Sequence, residues 1–370
     1  MNRPDIMNSK PHATLGGNYY KDPTILEREL ESIFFSSWLL AGREDQAAQV
    51  GDYFTFELGA ESLLVVRGRD GVLRAFYNVC RHRGARLCAP GKGHIKSAIQ
   101  CPYHAWRYAL DGSLRSAPKV LESEHFAKDS FSLYPAEVDV WEGFVFVRLK
   151  NTGVSLAAQL GALPERARPF PLASLRVGAR AEREVGANWK ILVENFMECY
   201  HCPGVHPELV DLVPLYRTGA VDASNEEPPE YREGVITATR DGTTQRPIFA
   251  GLRDRTRQRY HAELVSPNVF LYLFADYVCA RSLWPVSPTQ TRIVSEWLFE
   301  PDVLEQPDCD VGDAVSFMNL LGAQDWRVCE AVQQGIVSRA HAHGVLLEQD
   351  SEVADINRWY MQRLESGADK

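Results

Sequence analysis

The sequence predicts an α+β fold in two halves: a small all-β half, then a half that mixes helices with an antiparallel sheet. Three observations carry that prediction. Between Gly51 and Leu149, short runs of alternating apolar residues are punctuated by Asp70-Gly71, Asp111-Gly112 and Glu142-Gly143, the rhythm of hairpins. Asn151-Thr152-Gly153, followed by Pro164, Pro169 and Pro171, interrupts the chain. Beyond that break, three strand-like runs, Val269–Phe274, Val278–Pro285 and Arg292–Phe299, succeed one another among segments of helical periodicity.

Taken in order, residues 1–20 read as a loose arm. Asp22-Pro23 reads as an N-cap with proline at the first helical position; Ile25, Leu26, Leu30, Ile33 and Phe34 then give a helix that ends before Gly42. In the all-β half, Phe54, Phe56 and Leu58 alternate with Tyr53, Thr55 and Glu57. Leu63–Arg67, Leu73–Val79, Trp106–Leu110, Leu114, Val138–Val140 and Phe144–Leu149 extend the set to about ten short strands at most. In the second half, Trp189–Tyr200, Asp313–Ser338 and Ser351–Leu364 read as helices. The polar stretch 222–245, with Pro228-Pro229 and Asp241-Gly242, reads as a long loop or lid. The expected divisions are 1–40 for arm and helix, 41–150 for the β domain and 151–370 for the second domain.

Composition narrows the functional classes. With 370 residues, 45% hydrophobic and 24% charged, the chain can bury two cores of moderate size. A net charge of −9 weighs against a nucleic-acid partner. No run of about 18 apolar residues offers a membrane span. The N-terminus, with Asp5, Lys10 and His12, has no apolar stretch of the kind a signal peptide needs. A cytoplasmic chain with reduced thiols is therefore expected, its eight cysteines binding metal or simply packing. No G-x-G-x-x-G follows a strand, so the chain is not expected to bind a dinucleotide itself.

Two constellations carry the chemistry. The first is Cys80-Arg81-His82, eighteen residues, then Cys101-Pro102-Tyr103-His104. Each pair lies in a short loop at a strand end, so two loops can grip one centre from two sides. Thiolates hold iron and neutralise its charge; putting neutral imidazoles on one iron of a [2Fe–2S] centre raises its potential into roughly −150 to +300 mV. Arg81, Arg83 and Arg86 would place positive charge near such an anionic centre, and Gly84, Gly91 and Gly93 would let backbone approach it. Two cysteines and two histidines also suit structural zinc, although zinc sites more often pair like with like. Cys88 reads as a small buried residue and His94 as a surface one.

The second constellation lies on the expected helix from Asn188. Glu194, Glu198 and His201 are spaced i, i+4 and i+7 and share one face among apolar residues, a costly stripe unless it binds something. Pro203-Gly204 then breaks the helix, which lets His206 turn back toward His201. A 2-His-1-carboxylate triad needs one more ligand, and Asp325 in Gly322-Ala323-Gln324-Asp325-Trp326 is the candidate. The competing readings are histidines satisfied by ordinary hydrogen bonds and an aspartate acting as a helix N-cap.

Cys80-Arg81-His82-Arg83-Gly84 with Cys101-Pro102-Tyr103-His104 resembles the cluster motif of Rieske proteins. Asn188-Trp189-Lys190, Glu198, and His201 to His206-Pro207 resemble the catalytic helix of Rieske non-haem iron oxygenase alpha subunits, whose later carboxylate ligand matches Asp325. The resemblance runs from about Tyr19 to Leu364. It implies a Rieske [2Fe–2S] domain on Cys80, His82, Cys101 and His104. It also implies a helix-grip-like catalytic domain holding mononuclear Fe(II) on His201, His206 and Asp325. Dioxygen is the implied co-substrate; electrons from NAD(P)H come through a separate flavin and iron–sulfur reductase or a ferredoxin. In that family subunits form a ring, usually a homotrimer, and an acidic residue links a cluster histidine to the neighbour's iron histidine; the matching residue is Glu198. The run Glu198-Cys199-Tyr200-His201-Cys202 looks most like the betaine and carnitine branch, which hydroxylates beside a quaternary nitrogen and removes an N-methyl group. Aromatic faces suit such a cation, and Tyr200, Tyr260, Phe270, Tyr272, Phe274, Tyr277, Trp284 and Trp297 are candidates. An aromatic substrate for ring hydroxylation would want similar residues. A Rieske electron carrier with a non-catalytic second half is the alternative from another class.

Overall fold

The computed structural model describes residues 12–120, 126–219 and 227–366. Contacts divide the chain into one unit from Phe34 to Gln159 and another that joins the residues up to Ile33 with those from Leu160 onward. The cuts thus fall at 33/34 and 159/160, where the sequence reading places them at 40/41 and 150/151.

The Phe34–Gln159 unit holds ten strands among its described residues. Seven form an antiparallel sheet in the order Leu39–Arg43, Phe144–Arg148, Pro135–Trp141, Leu73–Tyr77, Glu61–Arg67, Asp52–Leu58, Lys92–His94. Phe54, Phe56 and Leu58 are buried, as alternation requires. A three-stranded sheet of Ile99–Gln100, Arg107–Tyr108 and Leu114–Ser116 completes the unit. Leu64, Phe76, Leu87, Trp106 and Tyr108 pack in one core together with the thiols of Cys80 and Cys101.

The other unit is built on a five-stranded antiparallel sheet ordered Arg176–Val185, Gln290–Phe299, Val278–Ser287, Val269–Leu273, His261–Val265. The Val278–Ser287 and Val269–Leu273 strands are buried almost throughout. The Trp189–Phe196 helix packs against both the Val278–Ser287 strand and the Gly312–Ile336 helix. A last helix spans Ser351–Ser366. At the start of the chain Asp22 caps the Pro23–Glu29 helix by accepting the Thr24 N–H at 2.9 Å. The helix continues as a π-type turn, Leu30–Phe34, and stops there rather than near Gly42. The expected loose arm is only partly described: residues 1–11 lie outside, whereas Tyr20 is buried and donates its hydroxyl to Glu194 Oε1 at 2.7 Å.

From 227 onward, where it is described, the polar stretch 222–245 contains no named helix or strand, as the loop reading expects, but from Thr237 it is not a free lid. Thr237 and Thr239 are buried, and the hydroxyls of Thr237 and Thr244 and the Arg246 guanidinium all donate to the buried carboxylate of Asp276. That part is pinned by charge-assisted hydrogen bonds; 222–226 lies outside the described residues.

Candidate metal centres

The two cysteine–histidine loops share one backbone frame. Cys80 N–H donates to Ala85 O and Gly84 N–H returns to Cys80 O; Cys101 N–H donates to Trp106 O and Ala105 N–H returns to Cys101 O. In each, the residue four after the cysteine has positive φ, +71° at Gly84 and +57° at Ala105. An alanine held in the left-handed region is strained, a sign that the loop shape is imposed by its surroundings. The frame turns the thiols inward, Cys80 and Cys101 being 3% and 2% exposed, and leaves His82 and His104 exposed. The imidazoles lie together at the surface, ring centroids 4.6 Å apart, with His82 stacked on Trp106.

This arrangement fits a two-iron cluster better than zinc. A zinc site gathers its donors around one point. Here thiols pair with thiols in the core and imidazoles with imidazoles outside, two donors for each of two metals. The sequence reading missed Tyr108, whose buried hydroxyl lies 3.3 Å from Cys80 Sγ and accepts the Arg81 N–H at 3.1 Å. Donors aimed at cluster sulfurs stabilise the reduced, more negative state.

Several expected cluster neighbours have other partners. Arg81 donates to Ser132 O and covers the Tyr134 ring, Arg83 donates to the Tyr103 hydroxyl, and Arg86 pairs with Glu57. Gly91 exchanges hydrogen bonds with Thr55, and Gly93 packs under Tyr53. Of the three glycines, only Gly84 belongs to the thiol loops. Cys88 is half-buried beside Tyr53, and His94 is exposed and bonded to Asp52.

In the other unit the expected helix is shorter than its sequence pattern. Asn188 caps it by accepting the Lys190 N–H at 2.9 Å, but it ends at Phe196 rather than Tyr200. Glu198 causes the change: its Oε2 accepts the His201 N–H at 3.0 Å, a local bond that competes with the helical ladder. Glu194, Glu198 and His201 therefore do not form one helical stripe. Glu194 turns away from the histidines to Tyr20 and Asn357, and burial raises its carboxyl to about 7. Pro203 does not end a helix but lies in the first turn of a new one, Cys202–Val205. His206 joins that turn to the Pro207–Leu212 helix, so each histidine stands directly before a helical turn.

This geometry brings the expected ligands together. His201 Nε2 lies 3.2 Å from His206 Nε2 and 3.4 Å from Asp325 Oδ1, and His206 Nε2 lies 2.8 Å from the same oxygen. Ligands about 2.1 Å from a metal at right angles stand about 3 Å apart, so the spacing suits one face of an octahedron. Among the described residues this is the one group of three such donors that converges within 4.8 Å. Asp325 lies inside the Gly312–Ile336 helix and is not its N-cap. The outer ring nitrogens are also engaged: His201 Nδ1 donates to Glu198 Oε1 at 2.6 Å, and His206 Nδ1 to Gln324 Oε1 at 2.8 Å. Gln324 is held in turn by Glu208 at 2.9 Å. With Nδ1 as the protonated nitrogen of each neutral ring, both Nε2 lone pairs would be offered to a metal at the common point. Burial presses the His201 imidazole toward neutrality, but Asp325 and Glu198 outweigh it and lift its pKa to about 9. Against its own burial, Asp325 is held below the usual carboxylate range by the two histidines.

Cys199 and Cys202 straddle His201 and are joined as a disulfide, contrary to the expectation of reduced thiols throughout. The tight turn at His201 brings the two sulfurs together, a proximity that cysteine spacing alone did not settle.

The three donors stand in the wall of a cavity of about 710 Å³. Of the expected aromatic residues, Tyr260, Phe270 and Tyr272 line it; Phe274, Tyr277, Trp284 and Trp297 are buried elsewhere in the unit, and Tyr200 is exposed. Phe196, Tyr216, Trp326 and Trp359 also line it and were missed. Phe196 stacks on Phe270 at 4.0 Å. Its place two residues after Glu194, at the end of the helix leading to His201, was the available clue.

Comparison with known proteins agrees with this geometry. Residues 37–127 match the family model described as the Rieske [2Fe-2S] domain, and residues 172–366 match that of the ring hydroxylating alpha subunit (catalytic domain). The carnitine monooxygenase oxygenase subunit of Acinetobacter baumannii is 40% identical over 354 residues, covering 94% of this chain and 92% of that protein. The glycine betaine monooxygenase oxygenase subunit of Pseudomonas aeruginosa is 28% identical over 395 residues, covering 97% and 91%. The crystal structure of a quaternary ammonium Rieske monooxygenase with bound L-carnitine superposes with a TM-score of 0.76 at 28% identity, covering 98% and 99% of the two chains.

Proposed function

Because this chain belongs to the Rieske oxygenases as an alpha subunit, with a [2Fe–2S] cluster and a mononuclear iron as its cofactors, we propose that it hydroxylates a small quaternary ammonium compound beside the nitrogen, with loss of an N-methyl group. Its electrons come from NAD(P)H through a separate reductase. Family membership removes the alternative of an electron carrier with an inert second half.

The observation that carries the reading is the meeting of His201 Nε2, His206 Nε2 and Asp325 Oδ1 within 2.8–3.4 Å in the wall of an aromatic-lined cavity. When bound, the cluster supplies electrons singly and the ferrous ion offers open positions to dioxygen beside the substrate. Cys80 and Cys101 would hold one cluster iron from the core, and His82 and His104 the other at the surface. His201, His206 and Asp325 would hold the mononuclear iron. Glu198 and Gln324 fix the two iron histidines in their Nδ1–H tautomers. Glu198 also links His201 to a cluster histidine of a neighbouring subunit in a homotrimer. Phe196, Tyr260, Phe270 and Tyr272 line the cavity with aromatic carbon, surroundings that suit a cation which cannot shed its charge. The similarity to carnitine and glycine betaine oxygenase subunits supports this substrate class.

Iron and acid-labile sulfide analysis tests the metal assignment: wild type should hold two cluster irons plus one, and Asp325→Asn should keep only the two, with its visible spectrum intact. Oxygen uptake with a reductase, measured with glycine betaine, L-carnitine and an aromatic-acid panel, tests the substrate. Formaldehyde should appear with a methylated ammonium substrate. Coupled turnover confined to the aromatic acids would replace this reading with ring hydroxylation.

A further inference from the structure

Arg281, on the Val278–Ser287 strand, is 3% exposed and lines the cavity. Its Nε donates to Ser295 Oγ at 3.1 Å and its Nη2 to Met318 O at 3.0 Å. The guanidinium lies 5.8 Å from the Tyr272 ring centroid and 5.4 Å from that of Trp326. All these partners are neutral, and among the described residues no carboxylate lies within ion-pair distance of it.

Three other buried cations are treated differently. Lys190 has Glu29 at 2.5 Å, Arg148 has Glu137 at 2.5 Å, and Arg246 has Asp276 at 2.9 Å. A buried charge without a counter-ion is costly, and neutral dipoles with ring faces offset only part of that cost. Asp325 is the one carboxylate whose field reaches Arg281 appreciably, and it is engaged by the two histidines. The cavity therefore places a fixed positive charge, deficient in negative partners, on its own lining.

The lining also has an acidic end. Tyr272, Tyr260 and Tyr216 follow one another from Arg281, with ring centroids 6.4 and 6.0 Å apart, and Tyr216 lies within the field of Glu352. Glu352 and Asp355 line the same cavity beside Trp359. The wall thus runs from a guanidinium, along aromatic faces, to carboxylates.

We propose that Arg281 is the site's carboxylate anchor, and so the residue that decides between betaines and choline-like alcohols. The proposal rests on the cavity being the substrate site. It deepens the quaternary ammonium reading by dividing that class: amino-acid betaines enter, and choline-like alcohols are repelled. A guanidinium meets a carboxylate with paired, charge-assisted hydrogen bonds that an alcohol cannot match.

Binding to the metal-loaded full chain, read by calorimetry and by tryptophan fluorescence, tests this with matched probes: glycine betaine against choline, and benzoate against benzamide. Wild type should bind glycine betaine at least tenfold more tightly than choline. Arg281→Gln should bring the two within about threefold, and Arg281→Lys should restore part of the preference. The wild-type comparison does not depend on any variant folding. Equal binding of glycine betaine and choline by wild type overturns the proposal, as does failure of both carboxylates to bind. If benzoate binds in an Arg281-dependent way while neither trimethylammonium compound binds, the anchor stands and the quaternary ammonium reading fails.

Discussion

Glu198 receives two hydrogen bonds from His201, one from the backbone N–H to Oε2 at 3.0 Å and one from the ring Nδ1 to Oε1 at 2.6 Å. One carboxylate therefore sets both where the chain leaves its helix and which ring nitrogen of His201 is free. Glu198→Gln keeps an acceptor but loses the charge and presents an N–H to one of those donors. Iron content should be unchanged, while turnover should fall roughly 10–100-fold, the usual effect of disturbing a ligand's outer partner. Product formed per stopped-flow cycle of pre-reduced protein measures it. Normal turnover in that variant would remove Glu198 from the electron link.

Tyr108 tests the cluster. Its hydroxyl is within hydrogen-bond distance of Cys80 Sγ, and Tyr108→Phe removes that donor without opening space. Loss of a hydrogen bond to a charged sulfur is worth about 1–2 kcal/mol, or roughly 40–90 mV for a one-electron couple. The midpoint potential should fall by that amount, since the reduced state loses more than the oxidised one. Spectroelectrochemical titration reads it, and an unchanged potential refutes the contact.

Glu194 gives a pH dependence. Burial raises its carboxyl to about 7, outweighing the hydrogen bonds from Tyr20 and Asn357 and the charge of Lys190. The folded chain thus prefers the neutral acid. That contribution is fully present below the unfolded value, near 4.5, and is lost as pH rises through about 7. In the iron-loaded protein, denaturant stability should decline from pH 5 to 8 by up to about 3 kcal/mol from this group. Glu194→Gln should flatten that decline. Parallel pH profiles for the two proteins would show that Glu194 does not titrate there.

Thiol counting tests the disulfide. After chelation and denaturation without reductant, six of the eight cysteines should alkylate, leaving Cys199 and Cys202 protected. Peptide mass mapping identifies the pair, and reduction should release both. Eight labelled cysteines from the outset would show the bond to be absent.

The metal donors were legible because their chemistry is local: mixed Cys-x-His and Cys-x2-His loops and a histidine pair around a proline leave few other uses for such residues. The β half was legible because alternation and Asp-Gly turns state its register. Features set by competition or by distant chain were not legible. The helix from Trp189 stops early because Glu198 captures a backbone N–H, which periodicity cannot register. Glu194 looked like a metal-facing acid, yet Tyr20, 174 positions away, claims it. The Arg176–Val185 strand escaped notice because Arg, Gly, Ala and Glu are poor strand formers; nine residues paired with the Gln290–Phe299 strand override that preference. Tyr108 and Gln324 act through a neighbour's atoms and carry no motif of their own.

Glu29, which is 0% exposed, takes the Trp189 indole N–H at 2.7 Å, the Lys190 ammonium at 2.5 Å and the Tyr360 hydroxyl at 2.6 Å. The first and last helices of this unit are thus fastened at one knot, to the turn from which the ligand-bearing segment departs. Trimming the chain to start at Phe34 would strand an ammonium in oil, and the histidines would lose alignment although no ligand had been touched.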